Sequence, residues 1–351
     1  MHYSTTVRIT RYLVALLISI ALVRLCILAL DRGRFQRHLH TRYITWDSFP
    51  SQYAETLRSK DWAGLATDTF DYARWFPSSQ SSIPRAIHFI WFKDLYDARP
   101  ETQIPASGSE APELCREHNP SYNITIWNAQ SGRQLIEDNY DWFLPTYDAY
   151  KYPIQRIDAL KYFVLWHHGG VYMDLDITCR RPLDPLLNVP AWFPEASPLG
   201  LNNDLMASRA GHPILELMLR SLEWRSRWNL LFPYLTIFWS TGPQFTGDMV
   251  QKWFERHPVF SNSTSSEPPS NDWFVLPQVF YSEEYTFFGH SPGGTWHGQD
   301  VATVLWFVAH PVVFWVLVIA TLVGFCVAPR LWKQRKIRLR HAENQWKEFE
   351  G

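Results

Sequence analysis

The chain has 351 residues, with 33 Lys and Arg against 34 Asp and Glu and a formal net charge of −1. This length accommodates one sizeable catalytic domain with additional segments, and not several independent domains. The charge balance argues against a nucleic-acid partner, because binding to phosphate backbones requires a strong excess of basic residues.

Two apolar segments predict membrane-spanning helices at the two ends of the chain. The first covers residues 12–30 and the second covers residues 301–328, and Arg24 is the only charged residue in either. Both are long enough to cross the hydrocarbon core of a bilayer. A cleaved signal peptide is the alternative for the first segment, but Asp31-Arg32-Gly33-Arg34 follows it where a small-residue cleavage site would be expected. An uncleaved anchor is therefore favoured.

A basic cluster predicts the orientation of these spans. It follows the second apolar segment and consists of Arg330, Lys333, Arg335, Lys336, Arg338 and Arg340. Such clusters stay on the cytosolic side, and two spans place both termini on the same side. We therefore expect cytosolic tails at residues 1–11 and 329–351 and a lumenal body between the spans. The glycosylation sequons at Asn123 and Asn262 fit a lumenal body.

The body divides into an expected stem, residues 31–82, and an expected catalytic domain, residues 83–300. Within the domain, β-rich runs at residues 86–92, 124–127 and 170–177 are separated by helical patterns such as residues 157–168, and residues 261–270 are expected to form a surface loop. This alternation predicts an α/β fold with a mostly parallel sheet.

Four cysteines are present in the chain. Cys26 and Cys326 lie in the apolar segments. Cys115 and Cys179 lie in the body, where they either pair in an oxidising lumen or remain as two buried thiols.

The chemically informative segment covers residues 156–176. Asp158 and Lys161 are three residues apart on the predicted helix and share a face. Gly169 and Gly170 end that helix, because a left-handed cap favours residues without a Cβ atom. A short apolar strand follows and leads to Asp174 and Asp176.

The two carboxylates are two residues apart, so in a strand they would point to the same face. At the carboxyl edge of a parallel sheet they would lie where ligands of open α/β folds bind. Two hard oxygen ligands suit Mg²⁺ or Mn²⁺ bridging a diphosphate, and the metal would neutralise charge on a departing nucleoside diphosphate. A solvated turn is the alternative, which the preceding helix, glycines and strand argue against.

This segment resembles the sugar-binding region of glycosyltransferases with Asp-x-Asp motifs. More closely, it is similar to the fungal members of glycosyltransferase family 32 that transfer mannose to inositol phosphorylceramide, and to their α-1,6-mannosyltransferase relatives. The resemblance extends over residues 83–300 and rests on blocks at residues 83–91, 156–176, 183–186, 202–206, 212–213, 242–243 and 287–297. It implies a GT-A-like fold, a GDP-mannose donor, retention of the anomeric configuration and residence in the Golgi membrane.

The resemblance also implies roles for individual residues. Asp176 would coordinate the metal directly, Asp174 would contact the ribose and help to hold the metal, and Asp204 would lie near the acceptor and the transferred sugar. His297 or His290 would complete the site as a metal ligand or phosphate donor.

Four further residues complete the expected nucleotide-sugar site, namely Trp91, Asp158, Lys161 and Trp296. Trp91 would stack on the base, although a core aromatic on a strand is an equally good interpretation. Relatives usually carry Arg where this chain has Lys161, and lysine keeps the charge but loses the bidentate fork.

An apolar, aromatic stretch at residues 228–239 bears on the acceptor. It is too short to span a bilayer, so it is either a core helix or an element at the lipid surface, and the upstream Trp224, Arg225 and Arg227 favour the lipid surface. The block containing His297 also lies only a few residues before the second apolar segment. We therefore expect an active site close to the bilayer, inositol phosphorylceramide as acceptor, and room for a regulatory membrane subunit.

Two alternatives remain at this stage. One is an α-1,6-mannosyltransferase that extends a glycan, and the second apolar segment argues against it. The other is a catalytically silent, glycosyltransferase-like subunit, which the intact Asp174, Asp176, Trp296 and His297 argue against.

Overall fold

The computed structural model describes residues 19–20, 23–24, 26–58, 70–92, 110–196, 200–257, 271–281, 287–291, 299–310 and 312–318, and positions 320–321, 324, 332 and 334–336. The predicted loop at residues 261–270, with Asn262, lies outside the described residues, and so do Trp296 and His297. The chain forms two compact units, Met1–Thr295 and Trp296–Gly351.

The first unit contains all eight strands of the described residues. They are β1 (Ala86–Ile90), β2 (Asn123–Trp127), β3 (Gly170–Met173), β4 (Ile177–Cys179), β5 (Ala191–Pro194), β6 (Leu205–Ser208), β7 (Phe274–Leu276) and β8 (Phe288–His290). The predicted strands at residues 86–92 and 124–127 correspond to β1 and β2. The run at residues 170–177 divides between β3 and β4.

Helices connect and cover these strands. In the first unit they are α1 (residues 26–40), α2 (Ser51–Arg58), α3 (Tyr72–Trp75), α4 (Ala111–His118), α5 (Ala129–Asn139), α6 (Leu144–Asp148), α7 (Pro153–His168), α8 (Pro213–Arg225), α9 (Pro233–Ser240), α10 (Pro243–Arg256) and α11 (Gln278–Tyr281). The second unit contributes α12 (Gln299–Ala309) and a following helical stretch, Val312–Val318.

Six strands form the main sheet, in the order β2-β1-β3-β6-β5-β7. The pairs β1–β2, β1–β3 and β5–β7 are parallel, whereas β6 runs antiparallel to both of its neighbours. A separate antiparallel pair joins β4 to β8. The predicted α/β class with a mostly parallel sheet is therefore confirmed, with one reversed strand at its centre.

Side chains of the central strands alternate between two apolar clusters, as a period of two requires. Tyr172 and Met206 belong to one cluster, and Val171, Met173 and Leu205 belong to the other. All four residues of β3 are buried, as expected for a strand that is covered on both faces. The strand that leads to the acidic pair is thus held on both sides.

The helix–glycine–strand connection forms as predicted. Helix α7 begins at Pro153, because the amide of the first helical residue has no acceptor within the helix and proline lacks that amide proton. The helix ends at His168, and Gly169 is its C-cap. Gly169 and Gly170 have φ angles of 66° and 103°, which L residues with side chains rarely adopt. A Cβ atom on Gly170 would lie 2.6 Å from the carbonyl oxygen of Ala86. This glycine therefore allows the close pairing of β3 with β1.

Much of the predicted stem is part of the folded body. Phe35 and Leu39 of α1, together with Tyr53 of α2, are buried in the two apolar clusters. Arg42 forms an ion pair with Asp272 at 2.5 Å. Apolar side chains of residues 35–57 therefore have partners in the core, and the boundaries of a stem at residues 31–82 stay a prediction.

The predicted membrane spans stay predictions. The described residues include no single helix with the length and apolarity needed to cross a membrane. Two helices, Asp300–Ala309 and Val312–Val318, meet that requirement only as a pair, with a bend of 103° between them. Most of the first predicted span, residues 12–30, lies outside the described residues.

A disulfide joins Cys115 of α4 to Cys179 of β4, which decides between the two alternatives that the sequence left open. The bond closes a loop with a sequence separation of 64 residues. It fixes β4, the strand that follows Asp176, to a helix on the outer face of the sheet.

We expect the Cys115→Ser/Cys179→Ser variant to lose about 4 kcal/mol of unfolding free energy, because the unfolded chain regains the entropy that the closed loop removes. Urea unfolding of purified protein in mild detergent measures the loss. Cys26→Ser is the matched control, since Cys26 is exposed and unpaired in the described structure. Equal stability of the double variant and this control would contradict the prediction.

Candidate active site

The acidic pair lies at the carboxyl edge of the main sheet. Asp174 directly follows β3, and the amide of Ile177 donates to its carbonyl oxygen at 3.0 Å. Asp174 and Asp176 are thus part of a tight turn between β3 and β4, not of a continuous strand. The acidic pair lies at the sheet edge, as expected. The argument that strand periodicity places both carboxylates on one face was wrong, because the chain turns after Asp174.

Asp204 lies beside Asp174 because β6 is reversed. Met173, the last residue of β3, pairs with Leu205, the first residue of β6. Asp174, which follows β3, therefore lies next to Asp204, which precedes β6. The amide of Asp174 donates to the carbonyl oxygen of Asp204 at 2.8 Å. The structure thus brings together three predicted site residues, Asp174, Asp176 and Asp204.

Lys161 is buried beneath this edge, with 3% of its surface exposed. Its Nζ lies 3.1 Å from Oδ1 of Asp158 and 3.1 Å from Oδ1 of Asp174. Tyr172 donates its hydroxyl to the same oxygen of Asp174 at 2.5 Å. Burial lowers the pKa of Lys161, but the charge of Asp174, with Tyr172 and Asp158, outweighs this effect and holds the pKa well above its ordinary value. Lys161 is therefore a permanent cation that orients Asp174.

Asp158 has a structural position behind Lys161. Its carboxylate is 5% exposed and accepts hydrogen bonds from Asn203 Nδ2 at 3.2 Å and from Thr241 Oγ1 at 3.1 Å. Asp158 and Lys161 share a helix face as predicted. However, Lys161 separates Asp158 from the sheet edge, so Asp158 supports the site and is not placed at its surface.

The carboxylate of Asp204 is held on one side only. Its Oδ2 accepts from the Tyr281 hydroxyl and from Asn202 Nδ2. Its Oδ1 is buried and has no hydrogen-bond partner in the described structure. Burial and the neighbouring charge of Asp174 raise the pKa of Asp204 to about 7. One oxygen of Asp204 is thus a buried acceptor that lacks a hydrogen bond in the described structure.

Asp176 and His290 are neighbours across the small antiparallel pair. Ile177 pairs with His290 in the β4–β8 register, and the amide of Ser291 donates to the carbonyl oxygen of Asp176 at 2.8 Å. Nε2 of His290 donates to the carbonyl oxygen of Tyr281 at 2.6 Å. Burial and the charge of Asp174 raise the pKa of Asp176 to about 6.

These carboxylates fit a divalent cation only in part. In the portion of the chain that the structure describes, no group of three His, Cys, Asp or Glu side chains is arranged to hold a metal ion. Asp174 and Asp176 nevertheless present hard oxygen atoms on one turn, and burial together with the charge of Asp174 raises the pKa of Asp176. A Mg²⁺ or Mn²⁺ ion bound by two carboxylates takes its remaining ligands from water and substrate phosphates.

Trp91 lies at the same edge of the sheet. It follows β1 directly, is half-buried, and donates its amide proton to the carbonyl oxygen of Trp127 at 2.7 Å. Its position is compatible with the predicted contact to a base. Trp296 and His297, which were also predicted to contact the donor nucleotide or the metal, lie outside the described residues.

Three residues in this site were missed by sequence reasoning. Tyr172 orients Asp174, Tyr281 orients Asp204, and Thr241 supports Asp158. Tyr172 could have been found, because it precedes Asp174 by two residues within the motif itself. Tyr281 and Thr241 carry no local signal, since they are separated from their partners by 77 and 83 residues.

Comparisons with known proteins identify the family to which this chain is related. Residues 105–192 match the family model described as "Glycosyltransferase sugar-binding region containing DXD motif". The match includes Asp158, Lys161, Asp174 and Asp176. Inositol phosphoceramide mannosyltransferase 1 of Schizosaccharomyces pombe is 33% identical over 270 residues, which cover 75% of this chain and 78% of the relative. The chain belongs to the inositol phosphoceramide mannosyltransferase family.

Other members of the inositol phosphoceramide mannosyltransferase family align over a smaller share of their length. Inositol phosphoceramide mannosyltransferase 3 of S. pombe is 34% identical over 68% of this chain and 63% of its own length. Mannosyl phosphorylinositol ceramide synthase SUR1 of Saccharomyces cerevisiae is 36% identical over 64% of this chain and 54% of its own length. The chain thus spans less than two thirds of these two curated relatives.

Proposed function

We propose that this protein transfers mannose from GDP-mannose to inositol phosphorylceramide, with retention of the anomeric configuration, through a GT-A-like domain. The observation that carries the proposal is the group of three carboxylates at the sheet edge. The side chain of Asp174 is fixed by Lys161 and Tyr172. The carbonyl oxygen of Asp204 accepts from the amide of Asp174, and one carboxylate oxygen of Asp204 has no partner. Membership of the family supports the choice of reaction, since several members are named for mannosyl transfer to inositol phosphoceramide.

Asp174 and Asp176 would hold a divalent cation, Mn²⁺ or Mg²⁺, and the cation would supply positive charge to the departing diphosphate. Lys161 keeps the carboxylate of Asp174 in one orientation through their ion pair. Asp204 would accept a hydrogen bond from a hydroxyl of the transferred sugar or of the acceptor once substrate binding exposes its unpaired oxygen. Trp91 stacks against the base of the donor. The protein then acts by positioning the reactants and by electrostatic stabilisation, and no residue is assigned as a covalent nucleophile.

The remaining parts of the proposal concern the cell. We place the catalytic domain in the lumen of the Golgi, anchored by the predicted spans at residues 12–30 and 301–328. The Cys115–Cys179 disulfide supports an oxidising compartment. The exposed side chain of Asn123, on β2, is compatible with glycosylation there. A regulatory membrane subunit is compatible with both spans.

The test is a transfer assay with purified full-length protein and inositol phosphorylceramide. GDP-mannose, UDP-glucose and UDP-galactose are supplied separately, each with Mn²⁺, with Mg²⁺ or with EDTA. Mass spectrometry detects a lipid that is one hexose heavier, and proton NMR of the product gives the anomeric configuration. We expect product with GDP-mannose and a metal ion, no product with EDTA, and an α-linked mannose.

Two other outcomes would contradict the proposal. Transfer of mannose to a mannose oligosaccharide, without any lipid product, would assign the chain to glycan extension. The other outcome is a folded protein that transfers no sugar from any donor, even after membranes that contain partner subunits are added. This result would indicate a catalytically silent subunit.

A further inference from the structure

An apolar surface is exposed between α8 and α9. We call Trp224, Trp228, Leu230 and Leu231 the aromatic surface. Trp224 is 51% exposed, Leu230 is 40% exposed and Leu231 is 89% exposed. Exposed apolar side chains are ordinary when isolated, but a contiguous group of this kind marks an interaction site.

The structure separates the two interpretations of residues 228–239. Thr236, Ile237 and Ser240 of α9 are buried, so this helix is fixed to the body by one face. The loop that precedes it is exposed. The amide of Leu230 donates to Thr236 Oγ1 at 2.9 Å, which attaches the exposed loop to the buried helix. The stretch is therefore a core helix in its second half and an exposed apolar loop in its first half.

A charged junction lies directly behind the aromatic surface. The guanidinium group of Arg225 is buried 4.3 Å from the ring centre of Trp228 and 5.1 Å from that of Trp224. Arg225 also pairs with Asp248 of α10 at 2.5 Å. The two tryptophans therefore have a fixed support, because a planar cation holds their rings from behind.

The same Asp248 connects the aromatic surface to helix α1. Arg32 of α1 lies 4.0 Å from the other oxygen of Asp248, and it donates to Gln244 Oε1 at 3.4 Å. The residues of α1 that precede Arg32 include Ile27, Leu28 and Leu30, and all three are exposed. Two exposed apolar surfaces thus meet at one polar junction, and one of them is the end of the predicted anchor at residues 12–30.

The aromatic surface is also connected to the candidate active site. Helix α9 ends at Ser240, whose hydroxyl accepts from Gln155 Nε2 at 2.8 Å. The next residue, Thr241, donates to Asp158, the partner of Lys161. The loop before α9 is therefore connected through one helix to the residues that orient Asp174.

We propose that the aromatic surface inserts into the headgroup region of a lipid bilayer, beside residues 26–30, and fixes the distance between the active site and the membrane. Tryptophan favours this region because its ring is apolar and its N–H group is polar. Leu230 and Leu231 enter the acyl boundary, and the paired Arg225 and Asp248 remain on the protein side. The occupant is the lipid surface itself, since the neighbouring apolar surface belongs to a predicted membrane anchor.

The first experiment does not depend on enzymatic activity. Full-length protein with Cys26→Ser and Cys326→Ser retains the Cys115–Cys179 disulfide, and Leu231→Cys in this background carries a nitroxide label. Asp138→Cys, at an exposed position of α5, is the matched control. Both proteins are reconstituted in vesicles of phosphatidylcholine and phosphatidylinositol, and collision of the label with oxygen and with an aqueous nickel chelate is measured.

We expect the label at position 231 to collide mainly with oxygen, which concentrates in the bilayer, and the label at position 138 to collide mainly with the nickel chelate. A label at position 231 that behaves like the control overturns the proposal. A label that is shielded from both reagents also overturns it, because the surface would then be covered by a second copy of the chain or by another protein.

The second experiment rests on the proposed function. Leu231→Asp should reduce transfer to inositol phosphorylceramide in vesicles about tenfold, because a charge opposes insertion of the loop. Transfer to a water-soluble inositol phosphate acceptor should be unchanged. Equal loss with both acceptors would contradict the membrane role. Absence of transfer by the unsubstituted protein would contradict the proposed function alone, since the label measurement stands independently.

Discussion

Asp176→Asn is expected to lower kcat/KM for sugar transfer about a thousandfold, because weaker binding of the cation would remove one preorganised positive group from the negative charge that develops on the leaving diphosphate. The amide keeps the shape of the side chain but loses the charge that would hold a divalent cation. Asp174→Asn should cause a similar loss and should also weaken the protein, since Asp174 pairs with Lys161. Transfer assays and titration with Mn²⁺, followed by electron paramagnetic resonance, measure the two effects.

The stability of the Asp176→Asn variant provides an internal control. In the folded protein without metal, burial and Asp174 raise the pKa of Asp176 to about 6. Folding therefore disfavours the charged form of Asp176. The unfolding free energy falls as the pH rises from the ordinary pKa of an aspartate side chain to about 6. Above that pH, the asparagine variant should be at least as stable as the unsubstituted protein. Asp138→Asn on α5 should change neither property. Activity of Asp176→Asn within tenfold of the unsubstituted protein would contradict the assigned role.

Lys161→Met is expected to lower the unfolding free energy by about 3–5 kcal/mol, because it leaves a buried charge without its partner. Methionine fills a similar volume, so the loss reports on charge and not on a cavity. Asp158 would keep its hydrogen bonds from Asn203 and Thr241 but would lose the cation at 3.1 Å. Urea unfolding in mild detergent, followed by tryptophan fluorescence, gives the difference.

A double substitution distinguishes the charge effect from general damage. Asp158→Asn removes the unpaired charge, so Lys161→Met/Asp158→Asn should recover a large part of the stability that Lys161→Met loses. Transfer activity should not recover, since Asp174 still lacks the ammonium group that orients it. Lys151→Met, at an exposed position before α7, is the matched control. Additive losses in the double variant would show that Lys161 and Asp158 are not coupled.

The sequence was most informative where local pattern determines structure. The pairing of Asp158 with Lys161 follows from the helical period, and the cap at Gly169 follows from the absence of a Cβ atom. The α/β class and the sheet edge as the place of the acidic pair follow from the alternation of elements. The first two features depend on residues within one or two turns of each other, and the last two depend on the order of elements along the chain, which the sequence pattern also contains.

Features that depend on distant contacts could not be predicted in the same way. The placement of Asp174 beside Asp204 depends on the hydrogen bond from the Asp174 amide to the Asp204 carbonyl oxygen, which lies in a separate segment. Tyr281 reaches Asp204 from a segment 77 residues away. The expected stem is a different case. Phe35 and Leu39 are four residues apart on one helix face, so their spacing already indicated a helix packed against the body.

The reversed strand β6 has a mechanical consequence. Asp174 and Asp204 are joined by a main-chain hydrogen bond at the end of the β3–β6 ladder, so backbone geometry sets their separation. Side-chain changes in the surrounding loops can alter the surroundings of these carboxylates without moving one main chain relative to the other. Substrate preference can therefore diverge through the loops while the spacing of Asp174 and Asp204 stays the same.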